Sequence, residues 1–583
     1  MMRSGSTVAA DAVALKLTNG ALDWRSLIEV AGFTSTPFTD ALNVSEPDLL
    51  VGLARYAAVH HPEGRELDSL LDLALACKTS LSDDSQLRLT QLCVARRRHD
   101  DALGVMQLLT TPSPQRTQLL ADLLNPFTGA ADESESAWLA LVNTFYRDAG
   151  IEPVQLADGH DDPFDRLESS ANASSVGGPL VTVIMTAYQP DDSLITAVNS
   201  IRAQTWRDWE LFIMDDASGP EFDAVFDRVV ELDSRIRVFR APTNGGTYVR
   251  RNEALARSEA EFVTMQDSDD WSHPRRLEVQ IGYALAHPSL AANLVAALRV
   301  TSDLQFTQAR GLDLRLSEPS LLFRRLLVTE RIGFFDAVRK SADSEYRRRI
   351  GAVFGSDVPY LESDGPLMLM RFDAKSLSGA DLADGWAHPA RMSYRSSYQH
   401  WHDSISARGG AARLPRPGGA RPFVAPPHIT GVPRPSVVFD DLLVIDARSG
   451  GVLDRQWRAV EAYLRSASVL GSRVAVLHSS AYEQFDPAQM YSHRFHDWLE
   501  EGLASEVFAT DDHWKAKRAI VWGDGCVLGL PRTGQIPVDS VVLLAGQAGA
   551  DPVITSEFAE QACREAFDAQ PVRTGVSNLV KTS

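Results

Sequence analysis

Between Phe262 and Trp271 a short apolar run, Phe262-Val263-Thr264-Met265-Gln266, stops abruptly in Asp267-Ser268-Asp269-Asp270. The run has the length and composition of a buried strand. An open α/β sheet accommodates a buried strand that ends in acids, because its ligand crevice lies outside the carboxyl ends of the strands. Carboxylates crowded at such an edge repel one another unless something positive sits between them. A hard divalent cation with phosphate oxygens in its outer positions meets that need, since it takes oxygen ligands. Taken alone, the cluster also fits a plain strand-to-helix turn in which Asp270 or Ser272 caps a helix near Pro274.

The flanking sequence favours the sheet. Val181–Met185, Leu211–Met214 and Ile236–Phe239 read as strands, and Leu194–Ala203, Phe222–Leu232, Thr247–Ala256 and Pro274–Ala286 as helices. Strands alternating with helices predict a parallel sheet covered on both faces. The strand ends then carry groups suited to a nucleotide. The first ends at Thr186-Ala187-Tyr188, where a turn and an aromatic ring can hold a base. The second ends at Asp215-Asp216-Ala217-Ser218, and a carboxylate there accepts bonds from a base N–H or a ribose hydroxyl. The third leads into Asn244-Gly245-Gly246, then Tyr248 and Arg250-Arg251-Asn252. Glycines permit close backbone approach, and an Arg one turn into a helix reaches a phosphate.

These four motifs in order, from about Pro179 to His402, resemble an inverting family 2 glycosyltransferase of the GT-A fold. The resemblance covers under half of the chain. It implies that Tyr188 and Asp216 (or Asp215) contact the nucleoside, with Thr186, Asn244 and Ser268 beside them on the donor. Arg251 would lie near the diphosphate, Asp267 on the sugar or ribose side, and Asp269 on Mn²⁺ or Mg²⁺. The general base falls on Asp343, in Ser341-Ala342-Asp343-Ser344-Glu345-Tyr346 with Arg349, after Gly333-Phe334-Phe335-Asp336. Ala342 stands where the family has Glu, a departure that bears on acceptor geometry. A helix N-terminus would keep Asp343 ionised, as a base requires; the bland role of that residue is an N-cap. Tyr398-Gln399-His400-Trp401-His402 closes the segment, and either histidine, His400 first, is a candidate for a further metal ligand or a contact with the diphosphate.

Apolar residues make up 44% and charged residues 23% of 583 residues, which is ordinary for globular proteins. The length suggests about three or four domains. The division expected is a helical N-terminal domain (1–157), a linker (158–178), the GT-A domain (179–403), a linker (404–435) and a smaller Rossmann-like α/β domain (436–583). The last is expected from Leu442–Ile445, Arg473–Leu477, Ala519–Trp522 and Val541–Leu544; it lacks a G-x-G-x-x-G turn, so dinucleotide binding is not expected. A net charge of −20 argues against a nucleic-acid partner. Cys77, Cys93, Cys526 and Cys563 lie far apart and read as reduced thiols. Neither a signal peptide nor a membrane-spanning run is evident, so a cytoplasmic protein visiting the inner face of the membrane is expected. The expected partners are a nucleoside-diphosphate sugar, UDP-linked by family resemblance, and a hydroxyl acceptor on a cell-surface glycan, teichoic-acid-like polymer or lipid-linked glycan. A protein or membrane partner and a homo-oligomer are compatible with the flanking domains. The competing readings are a scaffold whose transferase domain has lost activity, and a nucleotidyltransferase, which would want a Gly-rich cationic loop where Ala187-Tyr188-Gln189-Pro190 stands.

Overall fold

The computed structural model describes residues 7–31, 46–61, 64–129, 134–159, 162–169, 175–306, 315–372, 381–383, 386–408, 412–414, 419–433, 435–479, 490–509, 513–530, 536–544 and 555–575. Between Thr7 and Asp148 the elements among these residues are all helices. The helices Asp48–His60, Arg65–Ala76 and Asp83–Ala95 pack through Leu50, Tyr56, Leu70, Leu71, Leu89 and Cys93. The first helix, Thr7–Leu17, is apolar nearly all round because it is buried on two sides. Ala10, Val13, Ala14 and Leu17 join this helical core, while Val8, Ala9 and Ala12 join the core of the C-terminal sheet.

β1 (Val154–Leu156) pairs antiparallel with β2 (Leu167–Ser169). Part of the expected first linker is therefore built into the body. Phe164 and Leu167 are buried with Trp138, Trp271 and Val300, an apolar content that the Asp- and Ser-rich composition concealed.

The central sheet holds β3 (Val181–Ala187), β4 (Trp209–Asp215), β5 (Ile236–Arg240), β6 (Phe262–Asp267), β7 (Trp271–Ser272), β8 (Ala292–Val300), β9 (Arg315–Leu316), β10 (Leu322–Arg324) and β11 (Tyr360–Arg371). Its order is β5-β4-β3-β6-β10-β8-β11-β7, with β9 on β8. β5, β4, β3 and β6 run parallel, so their carboxyl ends share one edge. β10 is antiparallel to both β6 and β8, and β11 runs parallel to β8. The runs Val181–Met185 and Phe262–Met265 are buried, as strands covered on both faces must be.

β12 (Leu382–Ala383) and β13 (Trp386–Ala387) form a small ladder before the helix Pro389–Arg408. The second expected linker also packs inward. Ala412, Leu414, Phe423 and Ile429 belong to the central core, and the Nε of Arg421 donates to both oxygens of Asp336 at 2.9 and 2.7 Å. Its Arg/Gly/Pro composition gave no sign that a few scattered apolar residues anchor it.

β14 (Val437–Ile445), β15 (Val474–His478), β16 (Ser505–Val507), β17 (Trp514–Trp522), β18 (Val538–Leu544) and β19 (Pro571–Thr574) form a wholly parallel sheet in the order β16-β15-β14-β17-β18-β19. Renumbered along the sheet this is the 3-2-1-4-5-6 order of the doubly wound Rossmann fold. No helix among the described residues is long and apolar enough to cross a membrane.

Candidate active site

The shared edge of β3, β4 and β6 gathers the expected donor residues. At the end of β3, Thr186 Oγ1 lies 2.7 Å from Thr247 Oγ1, tying the strand to the start of the helix Thr247–Arg257. Tyr188 follows with 52% of its surface exposed, a ring open to a ligand. Asp215 is fully buried and accepts from Ser218 N at 3.0 Å and Arg240 Nε at 2.6 Å. Both oxygens of Asp216 are engaged as well: Oδ1 accepts from Gly245 N and Oδ2 from Gly246 N, each at 2.7 Å, and Arg250 pairs with it at 2.9 Å. Asp216 thus holds the Asn244-Gly245-Gly246 turn. Gly246 needs its freedom, with φ +90° and a Cβ position only 2.9 Å from Arg339 Cδ. Asn244 Oδ1 accepts from Arg339 Nη1.

Arg251 lies on the buried face of the same helix and donates through Nη2 to Asp267 Oδ1 at 2.7 Å. Its guanidinium stands over the Tyr248 ring at 5.3 Å, and its Nε and Nη1 are buried with no hydrogen-bond acceptor. Tyr248 and Arg251 both feel the Asp343 charge. The donor edge and the expected base are therefore joined through Tyr248 and Arg251. Asn252 adds a second tie: its Nδ2 donates to Phe335 O at 2.9 Å, and its Oδ1 accepts from Phe335 N at 2.8 Å.

Asp343 opens the helix Ala342–Phe354, half-buried, and its Oδ1 accepts from Ser344 N at 2.8 Å. Two residues on, Glu345 is fully buried and bonded to Arg349 at 2.9 Å and His402 Nε2 at 3.0 Å. Burial opposes its ionisation, but Arg349 and His402 outweigh it and hold the carboxyl below its ordinary range. Arg349 in turn donates to Ile332 O and Phe334 O, both at 2.7 Å. Glu345, Arg349 and His402 thus brace the turn leading to Asp343.

On the acidic turn, Asp267 is 39% exposed and Ser268 half-buried. Burial, then the neighbouring Asp267 charge, pushes the Asp269 carboxyl up to about 7. Asp270 is buried and pushed well up by burial and then by Asp269; its Oδ1 accepts from Arg371 N at 3.0 Å. Asp270 therefore belongs to the turn's scaffold, and Asp269 and Asp267 to its open side. Among the described residues no three His, Cys, Asp or Glu side chains are grouped to hold a metal ion. The donor chemistry fits a hard cation only in part: Asp269 and Asp267 supply carboxylate oxygens, and a substrate diphosphate must supply more.

His400 stands elsewhere. Its Nδ1 is 2.7 Å from His493 Nδ1 and its Nε2 3.4 Å from Asp497, so it faces the helix His493–Glu500. None of its contacts is to Asp267 or Asp269, and His402 is taken up by Glu345. The helical period of Tyr398–His402 explains this: His402 and Tyr398 face the core, and His400 points off that face.

Arg276 was invisible as a functional residue. It is fully buried and donates to Gln266 Oε1 at 2.7 Å, Ser272 Oγ at 2.9 Å, Thr264 Oγ1 at 2.8 Å and Met265 O at 2.8 Å. Burial lowers it to about 9. It binds the end of β6 to β7 and so shapes the acidic turn. Arg371, at the end of β11, contacts Asp269 O at 3.3 Å and Asp162 at 2.9 Å. In the sequence both look like ordinary surface cations.

Residues 182–347 match the model of glycosyl transferase family 2. The chain is 34% identical over 107 residues to the Escherichia coli UDP-Glc:alpha-D-GlcNAc-diphosphoundecaprenol beta-1,3-glucosyltransferase WfgD, covering 18% of this chain and 41% of that protein. It is 30% identical over 107 residues to an uncharacterized glycosyltransferase of Haemophilus influenzae, covering 18% of this chain and 43% of that one. The chain thus spans less than half the length of these curated relatives. Among solved structures, S. aureus TarS 1-349 in complex with UDP-GlcNAc aligns at 18% identity and a TM-score of 0.29, covering 40% of this chain and 74% of that one. A likeness of that degree says nothing about ligands.

Proposed function

We propose that the chain moves a sugar from a nucleoside-diphosphate sugar, a UDP-sugar by preference, to a hydroxyl of a cell-surface glycan, teichoic-acid-like polymer or lipid-linked acceptor, with inversion. The observation that carries this is the joining of Asp343 to the donor edge through Tyr248 and Arg251. Named relatives with nucleotide-sugar activity support the donor class.

In this reading Tyr188 covers the base, and Asp216 shapes the glycine turn that receives the nucleotide. Arg251 has buried N–H groups to spare for a phosphate or sugar oxygen. Asp343 takes the proton from the acceptor hydroxyl as that oxygen attacks the anomeric carbon from the face opposite the leaving diphosphate. Asp269, with Asp267, would hold Mn²⁺ or Mg²⁺, whose role when bound is to offset charge on the departing diphosphate. The five-part division of the chain belongs to this proposal, with the N- and C-terminal parts positioning acceptor or partner at the cytoplasmic face of the membrane.

The test is release of nucleoside diphosphate from a panel of UDP- and GDP-sugars, with and without Mn²⁺, by the native chain and Asp269→Asn. Cation-dependent release that Asp269→Asn abolishes is expected. Release of pyrophosphate instead would point to a nucleotidyltransferase, and neither release nor UDP binding under any condition would end the transferase reading.

A further inference from the structure

Beside Asp343, and outside the donor edge, a lysine, an arginine and a histidine stand together around one carboxylate. Lys340 Nζ donates to both oxygens of Asp381 at 2.9 Å. Arg391 Nε donates to Asp381 Oδ2 at 2.9 Å, and its Nη1 to Ser341 Oγ at 2.7 Å. His428 Nε2 lies 2.9 Å from Asp381 Oδ1 and 3.2 Å from Lys340 Nζ. The His388 ring stacks on His428 at 3.8 Å. Arg339 stands next in the chain and spends its bonds on neutral oxygens of Asn244. The cluster adjoins the transfer site directly. Ser341 sits in the left-handed region, φ +69°, two residues before Asp343, and Arg391 and Asp343 both act electrostatically on Tyr248.

The charges do not balance. Lys340 and Arg391 are only 17% and 16% exposed, and among the described residues Asp381, itself 1% exposed, is the one carboxylate bonded to them. Among the described residues, two cations bonded to one carboxylate leave a surplus of one. Like charges gathered in a half-buried place repel and lose hydration. A tie made only to hold a loop needs one cation per carboxylate. The surplus is explained if a further anion completes the group. Asp381 already occupies part of that position from within, as a ligand's oxygens would from outside.

We propose that Lys340 and Arg391 form an oxyanion subsite of the transfer site, which takes a phosphate or carboxylate group presented beside Asp343. This rests on the transferase reading above. The oxyanion has two sources, an anionic group on the acceptor or the diphosphate of the donor, and Lys340 and Arg391 recognise either by the same charge-assisted bonds.

The experiment uses the full chain and two separate probes, inorganic phosphate and UDP with Mn²⁺, each followed by titration calorimetry. Native protein should bind phosphate, and Lys340→Gln and Arg391→Gln should each weaken it about tenfold, the loss of one charge-assisted bond. Asp381→Asn removes the internal competitor and should tighten phosphate, a direction that loss of a structural tie does not produce. Lys340→Arg keeps the charge and should keep phosphate binding, which guards against a folding defect in Lys340→Gln. An unchanged UDP affinity in Lys340→Gln assigns the oxyanion to the acceptor; a parallel loss assigns it to the donor diphosphate. Phosphate binding that is absent from the native chain, or indifferent to both Gln variants, overturns the subsite. Failure of UDP to bind the native chain while phosphate responds as described would defeat the transferase reading and leave the subsite standing.

Discussion

Asp216→Ala is the perturbation that the geometry defines most sharply. The carboxylate accepts from two glycine N–H groups at 2.7 Å and pairs with Arg250 at 2.9 Å, where both side chains are 7% exposed. Leaving a buried donor unsatisfied costs about 1–3 kcal/mol. Breaking a buried ion pair from one side costs about 3–5 kcal/mol. The two overlap, since one carboxylate serves both, so about 4 kcal/mol is expected rather than their sum. At about 2–4 °C per kcal/mol for a domain of this size, the melting temperature should fall by roughly 8–16 °C. Asp216→Asn keeps one acceptor oxygen and should lose about half as much. The assay is thermal melting followed by tryptophan fluorescence, with UDP titrated into the same samples at low temperature. Both stability and UDP affinity should fall, because the glycine turn is released. Asp216→Ala that melts like the native chain yet no longer binds UDP would refute the clamp and make Asp216 a direct nucleoside contact.

Two further outcomes concern the acidic turn. The Asp269 carboxyl is raised to about 7, so its protonated form is favoured in the folded chain. As pH rises from about 4, where an unfolded Asp ionises, towards 7, the cation-free protein should lose stability, because the unfolded state then binds fewer protons. Cation binding needs the carboxylate, so Mn²⁺ affinity should climb over the same window and level off above 7; a flat profile from pH 5 to 8 by calorimetry would count against Asp269 as a ligand. Arg276→Met strands Thr264, Met265 and Gln266 acceptors in the interior and should cost about 2–4 kcal/mol in urea unfolding, with Mn²⁺ and UDP binding weakened together.

The parallel edge of β3, β4 and β6 was legible because each strand is a dense apolar run stopping at a polar motif, and period and composition agree there. The position of Asp343 beside that edge rested on motif resemblance, and Tyr248 supplies the physical link that the sequence left unstated. What stayed hidden depends on partners distant in sequence. The engagement of Asp216 requires N–H groups 29 and 30 residues away. The burial of Arg276 requires Thr264, Gln266 and Ser272 to meet around it. The burial inside the two expected linkers was not legible because composition averages over a segment, whereas Phe164, Phe423 and Ile429 are buried there one residue at a time. His400 looked like a ligand because His-Trp-His is chemically suggestive, but helical period sends it away from the acids.

The most direct test of Asp343 as the base is single-turnover release of UDP from the best donor found in the panel, with acceptor present, by the native chain and by Asp343→Asn. UDP affinity is measured alongside. Asp343→Asn keeps the shape and the oxygen that accepts from Ser344 N, so UDP should bind as before while turnover falls by about 10²–10⁴-fold. Turnover within a few-fold of the native rate at unchanged UDP affinity would contradict the role of Asp343, and with it the joining of the two halves of the site.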